Sequence, residues 1–233
     1  MRQLTRLLRI ARVNLGWGPD NPEPNARKEL YVESPQPFRI LTVCTGNICR
    51  SPVAERLLQA GLNQVSPGSF EVRSAGTRAM VGDPIQPLSA RIISTFRGDP
   101  DGFAARQLNQ KILRQSDLVL AMTSKHRGEV LQLDASLLKR TFTVREFARM
   151  LSVLQTRDDV TAAGDIVEFW RQLPAKAASV RHLALPSDPS ENDVVDPYRR
   201  SEEVYHQMED ELAPAILGIL RFARLTAPGQ GTS

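Results

Sequence analysis

The most informative segment of the chain is Val43-Cys44-Thr45-Gly46-Asn47-Ile48-Cys49-Arg50-Ser51-Pro52. It follows an apolar run at 38–43 that is typical of a β-strand. It precedes residues 51–62, whose apolar positions recur with helical spacing. Pro52 suits the first turn of that helix. The segment is therefore predicted to be a loop that joins a strand to the N-terminus of a helix.

A loop of this kind can bind an anion. Its backbone N–H groups converge near the helix N-terminus, where the helix dipole adds positive potential. Gly46 permits a positive φ and Asn47 is the next most tolerant residue type, so the backbone can curl into a nest. Cys44 at the lip of the nest is stabilised as a thiolate, and the planar fork of Arg50 can clamp two phosphate oxygens. The sequence thus predicts an anion site with a nucleophile.

The rest of the chain alternates short β-rich runs with helical patterns. Further strands are expected at 70–73, 117–122 and 140–142, and helices at 88–96, 124–133, from 144, at 158–183 and at 202–225. Pro174 is expected to interrupt the helix at 158–183. Such alternation favours a three-layer α/β/α fold, with a small parallel sheet of about four strands covered on both faces. The phosphate loop then lies at the C-terminal end of the first strand.

Composition narrows the class of protein. Of 233 residues, 41% are hydrophobic and 24% charged, which fits an α/β domain with a packed core. Two cysteines and three histidines are too few for a disulfide framework or a Cys/His zinc site, so neither a metal nor a cofactor is expected. No apolar run reaches the roughly 20 residues of a membrane span. This cysteine usage predicts a cytoplasmic protein.

The net charge of +4 is concentrated near the N-terminus. Residues 1–15 carry four arginines and no acidic residue, so the remaining residues sum to zero, which argues against nucleic-acid binding. The arginines share one side of a predicted helix and could give weak contact with a membrane surface. The alternative is a frayed extension. A Pro-rich linker follows, so we predict an N-terminal segment at 1–37, a folded domain at 38–226 and a tail at 227–233.

The pattern Cys-x5-Arg-Ser-Pro, with Gly-Asn after the first variable position, resembles the low-molecular-weight protein tyrosine phosphatases from about Phe38 to Leu225. The resemblance implies that Cys44 forms a phosphocysteine, that Arg50 binds the phosphoryl group and that Ser51 donates a hydrogen bond to the sulfur. It also implies a lining formed by Thr45, Gly46, Asn47, Ile48, Cys49 and Arg50. The alternative is an ordinary buried cysteine beside a surface arginine.

A second segment, Val194-Val195-Asp196-Pro197-Tyr198, lies ahead of the last predicted helix. The resemblance implies that Asp196 is the general acid and then the general base, and that Tyr198 stacks on an aromatic substrate. Asp-Pro pairs are common in turns, so Asp188 and Asp193 remain alternatives to Asp196.

Other positions carry two interpretations each. Ser74 either supports Asn47 or belongs to an ordinary turn at a strand end, and Met80 either lines the pocket or fills the core. Cys49 either packs beneath the loop or, as the resemblance suggests, forms a reversible disulfide with Cys44. Phe103 replaces a histidine that supports the loop in some relatives, which leaves the support of Asn47 open. The three histidines, His126, His182 and His206, are read as surface or helix residues.

The resemblance implies hydrolysis of protein phosphotyrosine, with a bacterial tyrosine kinase or a polysaccharide-export protein as the partner. One alternative is an arsenate reductase coupled to a thiol cofactor, in which Cys44 attacks arsenate. Another is a phosphate-binding module without activity.

The chain is longer than a minimal family domain. Its surplus includes an insertion around 154–188 that either shapes substrate access or packs as an extra helix.

Overall fold

The computed structural model describes residues 36–157 and 164–227. Within these ranges, four parallel strands form one sheet in the order β2-β1-β3-β4. The strands are β1 (Phe38–Cys44), β2 (Phe70–Gly76), β3 (Leu118–Ala121) and β4 (Thr141–Thr143). The predicted α/β class with a four-stranded parallel sheet is confirmed.

Seven α-helices accompany the sheet in the described ranges: α1 (Arg50–Val65), α2 (Pro87–Thr95), α3 (Gln110–Arg114), α4 (Ser124–Leu133), α5 (Val144–Gln155), α6 (Ile166–Ser179) and α7 (Glu202–Leu225). Short 3-10 helices lie at Ala135–Arg140, Arg181–Leu183 and Pro189–Asn192. The 3-10 helices and α3 were not predicted, because segments of three to six residues carry too little periodicity.

One sequence-based prediction about α6 is wrong. Pro174 lies inside this helix and does not interrupt it. The proline ring is buried in the core side of the helix, so tertiary packing compensates for the backbone hydrogen bond that proline cannot donate. The part of the predicted helix at 158–163 lies outside the described residues, as do the predicted N-terminal helix at 1–15, the linker as far as residue 35, and the tail from 228.

Helices cover both faces of the sheet. The larger core packs one face against α1, α5, α6 and α7, and its largest members include Phe38, Ile40, Leu58, Phe147 and Phe222. The smaller core packs the other face against α3 and α4, and it includes Leu41, Val43, Leu113 and Val130. Alternate residues of β1 enter the two cores, as the two-residue period of a strand requires.

The strand order places a crevice at the C-terminal end of β1. The chain passes from β1 to β2 on one side and later returns to β3 on the other, so the connections leave β1 in opposite directions. Ligands of open α/β sheets bind at such a switch point. The predicted phosphate loop begins here, directly after Cys44.

The predicted insertion packs at the opposite end of the sheet. Trp170 of α6 is fully buried, and its ring lies 5.6 Å from the ring of Phe38 and 5.0 Å from that of Phe70. Phe38 and Phe70 are the first residues of β1 and β2. Of the two interpretations of the insertion, the extra packed helix therefore describes α6. No helix in the described ranges combines the length and the apolarity that crossing a membrane requires.

Candidate active site

The loop after β1 curls around the sulfur of Cys44. The backbone N–H of Asn47 donates to Cys44 Sγ at 3.3 Å, and Ser51 Oγ lies 3.0 Å from the same sulfur. Asn47 has a φ of 57°, so the left-handed residue of the loop is Asn47 and not Gly46. Asparagine is the residue other than glycine that visits this region most readily. Two polar groups thus face a sulfur that is almost completely buried.

The side chain of Asn47 is fully hydrogen-bonded. Its Nδ2 donates to Ser74 Oγ at 2.8 Å and to Ser51 Oγ at 3.0 Å, and its Oδ1 accepts from the backbone N–H of Arg106 at 2.8 Å. Ser74 Oγ in turn donates to the buried carboxylate of Glu55 on α1. Ser74 therefore contacts Asn47, as one of the two interpretations expected, and Glu55 extends the chain of hydrogen bonds.

Phe103 does not leave Asn47 without support. Sequence analysis left this support open because Phe103 replaces a histidine, but the hydrogen bonds come from Ser74 and the Arg106 backbone instead. Phe103 packs half-buried against the larger core, and the guanidinium carbon of Arg56 lies 5.8 Å from the centre of its ring. The aromatic ring thus has a packing role beside the loop.

Arg50 begins α1 and is buried against the loop that precedes α7. Its Nη2 lies 2.8 Å from Asp196 Oδ2, and its Nη1 donates to the carbonyl of Val194 at 3.2 Å. The Nε atom is buried and has no hydrogen-bond partner among the described residues. Because an unpaired buried donor is unfavourable, the Nε–H of Arg50 can donate to a further acceptor group.

Asp196 is held at the mouth of the site by its own loop. Its Oδ1 accepts from the backbone N–H of Tyr198 at 3.2 Å, and its side chain is 52% exposed. The loop is attached to the end of β3, because the N–H of Val194 donates to the carbonyl of Met122 at 2.8 Å. The carboxyl group is therefore both close to Arg50 and accessible to a substrate.

The two alternatives to Asp196 have other roles. Asp193 Oδ1 accepts from the N–H of Ser124 at 2.7 Å and from its hydroxyl at 2.9 Å, so this carboxylate binds the beginning of α4. Asp188 caps a 3-10 helix by accepting from the N–H of Ser190 at 2.8 Å. Neither residue lines the cavity at Cys44. The geometry thus favours Asp196.

A cavity of about 250 Å³ opens above Cys44. The phosphate loop forms its floor, and its walls are formed by Arg78, Met80, Asp196, Tyr198 and Arg199. The guanidinium carbon of Arg199 lies 5.1 Å from the ring centre of Tyr198, which is a cation–π geometry. Met80 therefore belongs to the pocket, and the cavity has apolar and basic walls above the predicted phosphate loop.

Cys49 is a buried free thiol. Its Sγ lies 3.8 Å from the hydroxyl of Tyr205, and burial raises its pKa to about 11. A thiol with a raised pKa is a poor nucleophile. The contacts agree with the interpretation that Cys49 packs beneath the loop, while a disulfide with Cys44 stays a prediction.

Sequence analysis gave His126 no role in the site. As one part of its interpretation expected, His126 lies in a helix, α4, but its side chain is only 4% exposed and not on the surface. Its Nε2 lies 2.8 Å from Thr45 Oγ1. Two signals could have indicated its position. The carboxyl ends of parallel strands share one edge of the sheet, and His126 follows β3 closely, while Thr123 is a typical helix N-cap.

Fold and loop together define a parallel α/β protein with a buried cysteine in a strand-to-helix loop at the end of its first strand. The chain belongs to the low molecular weight phosphotyrosine protein phosphatase family, whose model matches residues 39–161. Asp196 and Tyr198 lie beyond the matched residues. Their place in the site therefore rests on the geometry described above.

Individual relatives carry two different names. The low molecular weight protein-tyrosine-phosphatase Etp of Escherichia coli K12 is 43% identical over 91 residues, which are 39% of this chain and 58% of Etp. The chain thus spans little more than half of that relative. A protein-arginine-phosphatase of Geobacillus stearothermophilus is 37% identical over 111 residues, which are 48% of this chain and 72% of the relative.

Solved structures share the fold. The tyrosine phosphatase AmsI of Erwinia amylovora aligns with a TM-score of 0.57 at 24% identity, over 82% of this chain and 96% of AmsI. The arginine phosphatase YwlE of Geobacillus stearothermophilus aligns with a TM-score of 0.54 at 27% identity, over 79% of this chain and 92% of YwlE. At these identities the alignments support the shared architecture. They do not identify the substrate.

Proposed function

We propose that this protein hydrolyses phosphotyrosine in proteins through a phosphocysteine intermediate. The observation that carries the proposal is that Cys44, Arg50 and Asp196 line one cavity, while Arg50 Nε has no hydrogen-bond partner among the described residues. These groups supply a nucleophile, an oxyanion clamp and a proton donor.

In the first step, the Cys44 thiolate attacks phosphorus. An S–P bond forms and the P–O bond to the phenol breaks, while Asp196, which takes up a proton from solvent when it leaves Arg50, gives that proton to the leaving oxygen. Arg50 exchanges the carboxylate of Asp196 for phosphoryl oxygens, which also occupy its Nε. Hydrogen bonds from Ser51 and the Asn47 amide stabilise negative charge on sulfur, so the same contacts favour the thiolate as leaving group later.

In the second step, water attacks the phosphocysteine. The Asp196 carboxylate accepts a proton from this water, the new P–O bond forms, and the S–P bond breaks to return the thiolate of Cys44. Inorganic phosphate leaves the loop. One residue thus acts as acid and then as base.

The walls of the cavity favour a phenolic ester over phosphoarginine. Tyr198 and Met80 offer an aromatic and an apolar surface to a phenyl ring. A guanidinium group would instead meet the positive charges of Arg78 and Arg199. Arsenate carries no ring that could contact Tyr198 or Met80, so these walls do not favour it. A protein substrate such as a bacterial tyrosine kinase or a polysaccharide-export protein fits this proposal.

The decisive experiment measures hydrolysis of phenyl phosphate and nitrophenyl phosphate by the full chain. We expect Cys44→Ser to reduce turnover to background, because the hydroxyl is a far weaker nucleophile. We expect Asp196→Ala to lower kcat on phenyl phosphate by about 10²–10⁴. The loss should be smaller on nitrophenyl phosphate, because nitrophenolate leaves without a proton.

Asp188→Ala is the matched control, because this aspartate caps a 3-10 helix away from the cavity. Its activity should equal that of the wild type. Undiminished hydrolysis by Cys44→Ser would end the proposal, and a wild-type protein that binds phosphate without turnover would indicate a binding module. Peptides with phosphotyrosine or phosphoarginine between identical flanks test the substrate. Faster release of phosphate from the phosphoarginine peptide would overturn the choice of phosphotyrosine.

A further inference from the structure

His126 uses both ring nitrogens although it is almost completely buried. Nε2 lies 2.8 Å from Thr45 Oγ1, and Nδ1 lies 2.8 Å from Thr123 Oγ1. Thr123 is also the N-cap of α4, since its hydroxyl oxygen accepts from the backbone N–H of His126 at 3.1 Å. The imidazole is therefore fixed to the beginning of α4 and directed at the residue that follows Cys44.

Thr45 is held from two sides. Its carbonyl accepts from the N–H of Arg78 at 3.0 Å. Gly76 allows that carbonyl a close approach, because a Cβ on residue 76 would lie 2.4 Å from the oxygen. These contacts fix the main chain of Thr45 from the β2 side. Among the described residues, His126 is the one hydrogen-bond partner of the Thr45 hydroxyl, and it acts from the α4 side.

The surroundings of His126 favour the neutral imidazole. Burial lowers its pKa to about 4, and the positive charge of Arg50 acts in the same direction. The carboxylates of Glu129, Asp196 and Asp193 oppose this effect without overcoming it. His126 does not line the cavity, so it does not reach a substrate. It is thus unsuited to proton transfer and suited to a fixed hydrogen bond.

We propose that His126 is a positioning residue, whose neutral imidazole fixes the side chain of Thr45 and thereby the first peptide group of the phosphate loop. This rests on the proposed function, because a loop that stabilises phosphoryl transfer must hold its donors in place before the reaction. A displacement of about 1 Å in such a site can cost about 10²-fold in rate. The contact with Thr45 therefore contributes to catalysis although neither ring nitrogen touches substrate.

The test is a double-mutant cycle between His126→Ala and Thr45→Val, read as kcat/KM for an aryl phosphate. We expect each single change to lower kcat/KM by about tenfold or more. The kcat/KM of the double variant should not fall below that of the less active single variant, because both changes remove the same contact. Losses that multiply in the double variant, or a fully active His126→Ala protein, would overturn the proposal.

A pair of amide variants separates this role from simple support of α4. The amide of His126→Gln reaches approximately the position of Nε2, next to Thr45, whereas that of His126→Asn reaches the position of Nδ1, next to Thr123. We expect Gln to restore most of the activity and Asn to restore little. Equal rescue by both would assign His126 to the helix end and overturn the proposal. These variants also serve if His126→Ala does not fold.

Binding of inorganic phosphate, measured by calorimetric titration, gives a readout that needs no turnover. We expect phosphate affinity to fall about tenfold in His126→Ala and in Thr45→Val, without a further fall in the double variant. If the wild type hydrolyses no aryl phosphate, the proposed function fails, but the coupling in phosphate affinity still decides the role of His126. Unchanged phosphate affinity in both single variants would overturn that role.

Discussion

The two ends of the sheet differ in the kind of side chain that is buried there. At the C-terminal end of β1, buried polar groups of Asn47, Ser51 and Ser74 hydrogen-bond one another around Cys44. At the N-terminal end of the same strand, Phe38 packs against Phe70 and Trp170 in edge-to-face geometry. The strands thus carry a polar site at one end and an aromatic cluster at the other.

This difference separates reactivity from stability. A hydrogen bond between buried polar groups contributes only about 0.5–1.5 kcal/mol net, yet losing one partner leaves the other unsatisfied. Burial of large aromatic side chains gives more, and an aromatic pair adds about 0.5–1.5 kcal/mol beyond the area it buries. We therefore expect changes in the aromatic cluster to act on folding, and changes near Cys44 to act mainly on catalysis.

The largest effect on stability is expected for Trp170→Ala. Removing this fully buried ring should lower the free energy of unfolding by about 3–5 kcal/mol, because a cavity remains between the first residues of β1 and β2. Denaturant unfolding measures the loss. At temperatures where the variant is folded, kcat should equal that of the wild type.

Trp170→Phe is the control for this prediction. It keeps an aromatic ring, and it loses no hydrogen bond because Trp170 Nε1 has no partner among the described residues. The destabilisation should be smaller than for alanine. A fall in kcat of the folded Trp170→Ala protein would show that the two ends are coupled.

Gly76→Ala, in contrast to Trp170→Ala, should lower catalysis as well as stability. The new methyl group would lie 2.4 Å from the carbonyl oxygen of Thr45, so the phosphate loop must shift. Overpacking of this kind costs about 1–3 kcal/mol of stability. The shift should lower kcat/KM on aryl phosphates by about tenfold or more, because the loop donors move from their positions.

Gly68→Ala supplies a comparison at the other end of β2, since a Cβ there meets no atom within 4 Å. Its φ of 78° makes it mildly destabilising, but it should leave kcat/KM unchanged. Wild-type kcat/KM in Gly76→Ala would contradict the tight fit between β2 and the loop.

A further expected effect, which is visible only when pH is varied, concerns His126. The pKa of His126 falls from 6.5 to about 4 in the folded protein. Between pH 6.5 and pH 4, therefore, the unfolded chain binds a proton at this residue that the folded protein does not bind. Stability from this residue is therefore complete above pH 6.5 and decreases as pH falls toward 4. Between pH 7 and pH 5 the wild type should lose about 2 kcal/mol that His126→Gln does not lose.

Denaturant unfolding of both proteins across this pH range gives the measurement. Carboxylates titrate in both proteins, so their contribution cancels in the difference between the two curves. A difference that stays constant with pH would mean that His126 does not titrate below its ordinary range in the folded state.

Sequence alone predicted the four strands and every α-helix of the described ranges except α3. Helix α4 has its predicted bounds, and helices α5 and α7 begin at their predicted residues. Cys44 and Arg50 could be chosen because they lie in one continuous loop. The backbone of such a loop follows from local residue types and from the strand and helix on either side. The same argument identified Asn47 as tolerant of a positive φ, although it also included Gly46.

Only the tertiary structure decided which distant residues meet that loop. Sequence offered three aspartates for the acid, and packing of the last loop on β3 brings Asp196 to Arg50. The sequence analysis gave no role to Glu55 and read His126 as a surface or helix residue. Glu55 lies 19 positions from its partner Ser74 and His126 lies 81 positions from Thr45, and contacts at such separations leave no periodic signal in the chain. Local patterns fix local backbone, whereas the partners of a buried polar group depend on how helices and strands pack.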